Sequence, residues 1–247
     1  MLRVDGVSVR FGGVLAVDDV DFEARTGTVT GLIGPNGAGK TTIFNVITGL
    51  QTPSEGRVFL DGSDISRAKP HERARLGIAR TFQRLEVFGT MTARENILVA
   101  AEAGGRDRHH RNDAATTTDA LVERVGLASV AEEPVDVLPT GLARLVELAR
   151  ALATGPKVLL LDEPASGLDE HETTVVGSLL VELAAEGIAV LLVEHDIELV
   201  SSICSDVFVL DFGRLIARGR PEDVRTDPVV QAAYLGVEDD RLPEVSR

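Results

Sequence analysis

Basic residues are scarce in this chain: 25 Lys and Arg stand against 39 Asp and Glu over 247 residues, a formal net charge of −14. That balance repels phosphate backbones and anionic headgroups at long range, so generic nucleic-acid binding is not expected. Long apolar runs are missing too. The longest, residues 188–193, is far too short for a bilayer span, and MLRVD opens no signal-peptide core. A cytoplasmic setting is the expectation. A single cysteine, Cys204, excludes an internal disulfide, and its place in IELVSSICSDVFVL makes it a small buried hydrophobe rather than a reactive thiol. Internal repeats and coiled-coil heptads are absent, as is the guanine-reading N-K-x-D, which disfavours a GTPase.

What is present is an alternation of short apolar runs with helical patterns, the mark of parallel strands joined by helical crossovers. Strands are expected at residues 7–9, 17–22, 29–33, 58–60, 78–82, 158–161, 188–193 and 207–210. The first two flank Gly12 and Gly13 and read as an antiparallel edge. Helices are expected at 41–48, 92–101 with Thr92 as N-cap, 113–125, 142–152 and 170–185. The fold class is therefore α/β: a mostly parallel sheet with antiparallel edge strands and a helical lobe, about residues 84–155, inserted in it. The charged loop at 104–113 carries His109 and His110, which read as solvated rather than metal-binding, and 237–247 reads as an acidic tail.

After the apolar run 29–33 comes GPNGAGKTT, which fits G-x-x-x-x-G-K-[ST]. Gly34, Pro35, Asn36, Gly37, Ala38, Gly39, Lys40, Thr41 and Thr42 would form a phosphate cradle. Its backbone N–H groups point inward, and the following helix adds its positive N-terminal end. Lys40 is expected to neutralise the β- and γ-phosphates, and the Thr41 hydroxyl to ligate Mg²⁺. VLLLDE (158–163), a strand pattern buried on both faces, ends in two acids at the rim where open α/β sheets bind ligands. Asp162 can there reach Mg²⁺ through water, and Glu163 can polarise an attacking water. Cradle and acid pair together point to hydrolysis of a nucleoside triphosphate.

With GPNGAGKTT, TFQ (81–83), LLLDEPASGLDE (159–170) and LLVEHD (191–196) in this order, residues 1–236 resemble the ATP-binding-cassette ATPases, and a P-loop NTPase fold is implied. The resemblance implies that Phe11 stacks on adenine, against the alternative of a core phenylalanine. It implies further that Gln83 senses Mg²⁺ and the γ-phosphate, that residues 166–169 communicate across a dimer, and that His195 is the switch contacting the γ-phosphate. RFGGVLAVDDVDF, GIARTFQ with FGTMTARENILVA, and AAYLG are similar to the ATPase subunits of branched-chain or other hydrophobic amino-acid importers, with lipopolysaccharide-type exporter ATPases as the nearest rival. A second ATPase subunit, transmembrane permease subunits and, indirectly, a solute-binding protein are the implied partners, with ATP and Mg²⁺ as cofactors. The chain would then sit on the inner face of the membrane through the permease. Leu85, Val87, Phe88 and Met91 would line the docking groove.

LPTGLAR (138–144) takes the place of the family's L-S-G-G-Q signature, which reaches the nucleotide of the partner subunit. Thr140 and Gly141 remain as candidate contacts, while Pro139 has neither the serine hydroxyl nor an N–H, and Leu142 replaces glutamine. A weakened signature makes a weakly hydrolysing regulatory switch the alternative in another class, and intact Asp162, Glu163 and His195 argue against it. A chromosome-maintenance or repair ATPase would need a long coiled coil between cradle and signature, and none is there.

Overall fold

The computed structural model describes residues 1–104 and 111–239. His109, His110 and the end of the acidic segment, 240–247, lie outside them. Among the described residues no group of three or more His, Cys, Asp or Glu could hold a metal by itself, and no helix is long and apolar enough to cross a membrane.

The chain opens with β1 (Leu2–Phe11) and β2 (Val14–Ala24), then β3 (Val29–Ile33), α1 (Lys40–Thr48), β4 (Glu55–Leu60), the short β5 (Ser63–Asp64), α2 (Pro70–Leu76) and β6 (Ile78–Arg80). Three helices follow, α3 (Ala93–Gly104), α4 (Arg111–Arg124) and α5 (Thr140–Ala153). The remainder is β7 (Val158–Asp162), α6 (Glu170–Ala185), β8 (Ala189–Val193), α7 (Ile197–Ile203), β9 (Asp206–Asp211), β10 (Arg214–Gly219), α8 (Pro221–Thr226) and α9 (Pro228–Asp239).

Six strands form one sheet in the order β10-β9-β3-β8-β7-β6, parallel except for β10, its antiparallel edge. Strands β3, β7 and β8 are buried along their whole length, which is why their sequences run apolar without alternation. Their side chains still alternate between two cores. Leu32, Leu160 and Leu191 pack with Phe44 and Ile47 of α1, whereas Ile33, Leu159, Leu161 and Leu192 face the core shared with α5 and α6. The runs at 7–9 and 17–22, expected at the edge of the parallel sheet, instead belong to a second, antiparallel sheet in the order β2-β1-β4-β5. Tertiary closure explains this: Val4, Val7, Val17 and Val20 cover α1 from the other side, an apolar face that strand periodicity reveals without saying what it meets.

Thr92 caps α3 reciprocally, its Oγ1 accepting the Glu95 N–H at 3.1 Å while Glu95 accepts the Thr92 N–H at 2.8 Å. Cys204 is buried, with its thiol pushed up to about 12 by desolvation. The short α2, absent from the sequence reading, delivers Arg73, which is 1% exposed and donates to the carbonyls of Val46, Ile47, Ser66 and Ala68 at 2.5–2.9 Å. Two of these are last-turn carbonyls of α1, the helix that follows the cradle, and that of Val46 also accepts the Gly49 N–H at 3.2 Å. Arg73→Ala is expected to cost about 3 kcal/mol or more and to lower Tm by roughly 6–12 °C, measured by calorimetry, because four carbonyls lose a charged donor and a fully buried side chain is removed.

Candidate functional site

The cradle residues lie between β3 and α1, at the carboxyl end of the parallel sheet. Gly34 has φ +148°, and a Cβ there would stand 2.0 Å from the Leu210 carbonyl oxygen, so only glycine fits where the loop leaves the strand. Gly34, Pro35, Ala38 and Lys40 are buried, Asn36, Gly37 and Thr41 are exposed, and Gly39 and Thr42 are intermediate. Lys40 Nζ donates to the carbonyls of Gly34 at 2.6 Å and Pro35 at 2.9 Å. Burial lowers its pKa, and the charges of Glu163 and Asp162 oppose that shift. The ammonium therefore sits folded into its own loop, facing the two acids at the end of β7. Phe11 is 50% exposed at the tip of the first hairpin, so it is not a core residue.

Asp162 ends β7 almost fully buried, its Oδ2 held at 3.0 Å by Arg80 Nη2 from the neighbouring β6. Arg80 also donates to Asn45 of α1 at 2.6 Å and stands over the rings of Phe44 and Phe82. Burial lowers its pKa against the pull of Asp162. Sequence reading missed Arg80. A basic residue directly before TFQ, in a strand otherwise apolar, is the signal that could have found it.

Glu163 adopts φ +52°, a left-handed conformation that costs a non-glycine residue about 1 kcal/mol or more. Its N–H bonds to Val193 O at 2.8 Å, and its carbonyl accepts the Ser166 N–H at 3.1 Å, so the backbone is held from both sides. The turn aims the carboxylate away from Asp162. Glu163 Oε1 lies 2.9 Å from His195 Nε2 and 3.3 Å from Gln83 Nε2, so three expected site residues, from the segments just after β6, β7 and β8, meet at one oxygen.

The loop carrying Gln83 is bolted to α5. Arg144 donates to Phe82 O at 2.7 Å and to Gln83 O, Glu147 accepts the N–H of Phe82 at 3.1 Å, and Arg150 donates to Glu86 O. Glu147 is 5% exposed, and burial raises its pKa against the bonds and charge that Phe82 and Arg144 supply. Three residues spaced along one helix face thus fix residues 82–86. Helix α5 starts at Thr140, two residues earlier than its apolar pattern indicates, with Pro139 as N-cap. Thr140 is exposed, but Gly141 is buried: a Cβ there would stand 2.7 Å from Leu168 Cδ2. Gly141 of LPTGLAR therefore serves contact with the 166–169 loop of the same chain.

In the segment expected to dock a partner, Phe88 is 46% exposed, while Leu85 and Val87 pack partly against the core and Met91 is intermediate. Buried Asn96 holds this segment by accepting the Phe88 N–H at 2.9 Å and donating to its carbonyl at 3.0 Å. At the other end of the chain Tyr234, in AAYLG, lies below the cradle. Burial raises its phenol above the usual range, partly offset by the Gly34 amide beside it.

A phosphate-binding loop at the end of a central parallel strand, facing two acids, defines a P-loop nucleotide-binding protein. The family model for the ABC transporter matches residues 17–166, and the chain belongs to that family. A second model, the branched-chain amino acid ATP-binding cassette transporter, matches residues 214–240. The chain is 41% identical to the high-affinity branched-chain amino acid transport ATP-binding protein BraF of Pseudomonas aeruginosa, covering 96% of this chain and 98% of the relative. It is 38% identical, with the same coverage, to LivG of Escherichia coli K12, which carries the same description. Its fold matches the crystal structure of a nucleotide-free ATP-binding cassette from an ABC transporter with TM-score 0.87 and 32% identity, over 95% of this chain and 98% of the other.

Proposed function

We propose that this chain is the ATP-hydrolysing subunit that powers a membrane permease importing branched-chain or related hydrophobic amino acids. The observation that carries the hydrolytic reading is the meeting of Glu163, His195 and Gln83 at one carboxylate oxygen beside the Lys40 cradle. Residues 1–236 would form the ATPase unit with the helices of 84–155 as its lobe, and 237–247 an acidic appendage whose first residues extend α9. The second family model and the names of the relatives favour amino-acid import over the exporter alternative.

In this reading the cradle amides and Lys40 bind the triphosphate, the ammonium exchanging its two loop carbonyls for phosphate oxygens. Phe11, exposed on the rim, stacks on the base. The Thr41 hydroxyl, the Asp162 carboxylate and the Gln83 side-chain carbonyl are all hard oxygen donors, a set that suits Mg²⁺. When bound, the ion neutralises phosphate charge. Arg80 keeps one Asp162 oxygen in place while the other makes no protein hydrogen bond among the described residues. Glu163 takes a proton from the attacking water, and His195 holds the γ-phosphate. Two such subunits would close head to tail around ATP, because only the closed form offers phosphate contacts from both, and closure would move the permease docked near Phe88. Thr140 and Gly141 would be this chain's contribution to the partner's nucleotide.

Isolation from the native membrane with identification of the co-purifying proteins tests the assignment. A permease should accompany the chain, and deleting the chain should abolish uptake of radiolabelled leucine. Unchanged uptake would refute the transport reading. The signature carries a separate prediction. A missing hydrogen bond to a charged group weakens ATP-driven closure by about 10- to 100-fold, so the mixed dimer with a paralogue of intact signature should turn over faster than the homodimer. Equal rates for the two purified dimers would show that Pro139 and Leu142 are harmless.

A further inference from the structure

We propose that Glu194 is a positioning residue that couples the switch histidine to the loop at 165–169, and through it to the chain's own signature segment. Glu194 sits at the end of β8 and is 5% exposed. Its Oε1 accepts the Ala165 N–H at 2.9 Å, and its Oε2 accepts the His195 N–H at 3.1 Å, with the Asp196 amide as a further donor. One carboxylate therefore ties together two backbone segments separated by 29 positions.

Each tie leads to something the proposed chemistry needs. On one side, the His195 peptide orients an imidazole that lies 2.9 Å from Glu163 Oε1. On the other, Ala165 lies within the turn closed by Ser166 N–H to Glu163 O and starts the one closed by Leu168 N–H to Ala165 O, both at 3.1 Å. Leu168 then presses on Gly141, and Gly167 on Thr140, the residues that open α5. The path runs from His195 through Glu194 and Ala165 to Leu168 and Thr140 without leaving van der Waals or hydrogen-bond contact. Under the proposed function, His195 serves this subunit's nucleotide and Thr140 the partner's. Glu194 is then the joint at which the state of one site is passed to the other. Burying a carboxylate is unfavourable unless its oxygens are satisfied, and here backbone donors from both loops meet it. An apolar residue would fill the same space but would leave both loops free to move apart.

The test uses the full chain in the complex that co-purifies with it, as wild type, Glu194→Gln, Glu194→Ala and Glu163→Gln. Glutamine keeps the shape and one acceptor oxygen, so it releases one loop only. Loss of one charge-assisted bond is expected to lower kcat about 10- to 100-fold in Glu194→Gln, and at least as far in Glu194→Ala. KM for ATP should stay within about threefold, because no cradle group is touched, and positive cooperativity in ATP should fall toward a Hill coefficient of one. Wild-type kcat and cooperativity in both variants would overturn the proposal. So would a loss in kcat matched by an equal loss in ATP affinity, since that is what a merely structural carboxylate produces. The inference rests on the hydrolytic reading, which the fourth arm checks separately: wild-type turnover in Glu163→Gln would remove that reading itself.

Discussion

Glu163→Gln is expected to lower ATP turnover by about 10²- to 10⁴-fold while leaving ATP binding intact, so that the variant accumulates as an ATP-filled dimer. The carboxylate is fixed through Oε1 by two neighbours, His195 at 2.9 Å and Gln83 at 3.3 Å, and its charge acts on Lys40 of the cradle. Glutamine has nearly the same volume and can still face both, but its amide cannot take a proton. The fold should be indifferent to the change. The strained φ of +52° is imposed by the backbone bonds to Val193 O and from Ser166 N–H, neither of which involves the side chain. Single-turnover kinetics with labelled ATP, together with size-exclusion chromatography, would measure the two halves of this expectation. Wild-type turnover removes Glu163 from the chemistry, and loss of ATP binding assigns it to the pocket instead.

Lys40→Ala should act at the opposite end of the cycle. Truncating one partner of a buried ionic contact costs about 2–5 kcal/mol, so ATP affinity should fall by roughly 30-fold to several thousandfold, and transport with it. Stability without nucleotide should change by no more than about 1 kcal/mol. The ammonium is 7% exposed, and its desolvation works against the two carbonyl bonds it makes, so its removal is close to neutral in the empty cradle. The two effects separate in a thermal-shift experiment. At a hundred times the wild-type Kd, ATP should stabilise the wild type by about 2.7 kcal/mol and the variant by no more than about 0.9 kcal/mol, from nearly equal baselines. Equal ATP-induced shifts would show that the cradle does not hold the triphosphate through Lys40.

The apolar strands β3, β7 and β8 were legible because burial on both faces leaves no polar alternation to confuse the pattern, and Thr92 announced α3 through its capping box. The helices α2, α7, α8 and α9 and the edge strand β10 were not: most of them are short, and their apolar positions are too few to set a period. The candidate site divides in the same way. GPNGAGKTT and the acids after β7 are contiguous strings whose chemistry follows from their spacing. Arg80, Glu147 and Glu194 are single charged residues whose neighbours in sequence assign them no chemistry, and each acquires its meaning from a partner far along the chain.

The sequence by itself determined the layered α/β class and the glycine-rich turn and acid pair from which triphosphate binding is proposed, since strand periodicity and such turns are properties of neighbouring residues. Only the tertiary structure decided that the first hairpin joins a sheet of its own and that Arg80 restrains Asp162 across 82 positions. It also decided that Arg144 and Glu147 lock the Gln83 loop to the signature helix, and that Glu194 joins two loops at the rim. The reason is physical: which buried charge meets which partner depends on how strands order themselves within the closed sheet, and local propensity carries no record of that order.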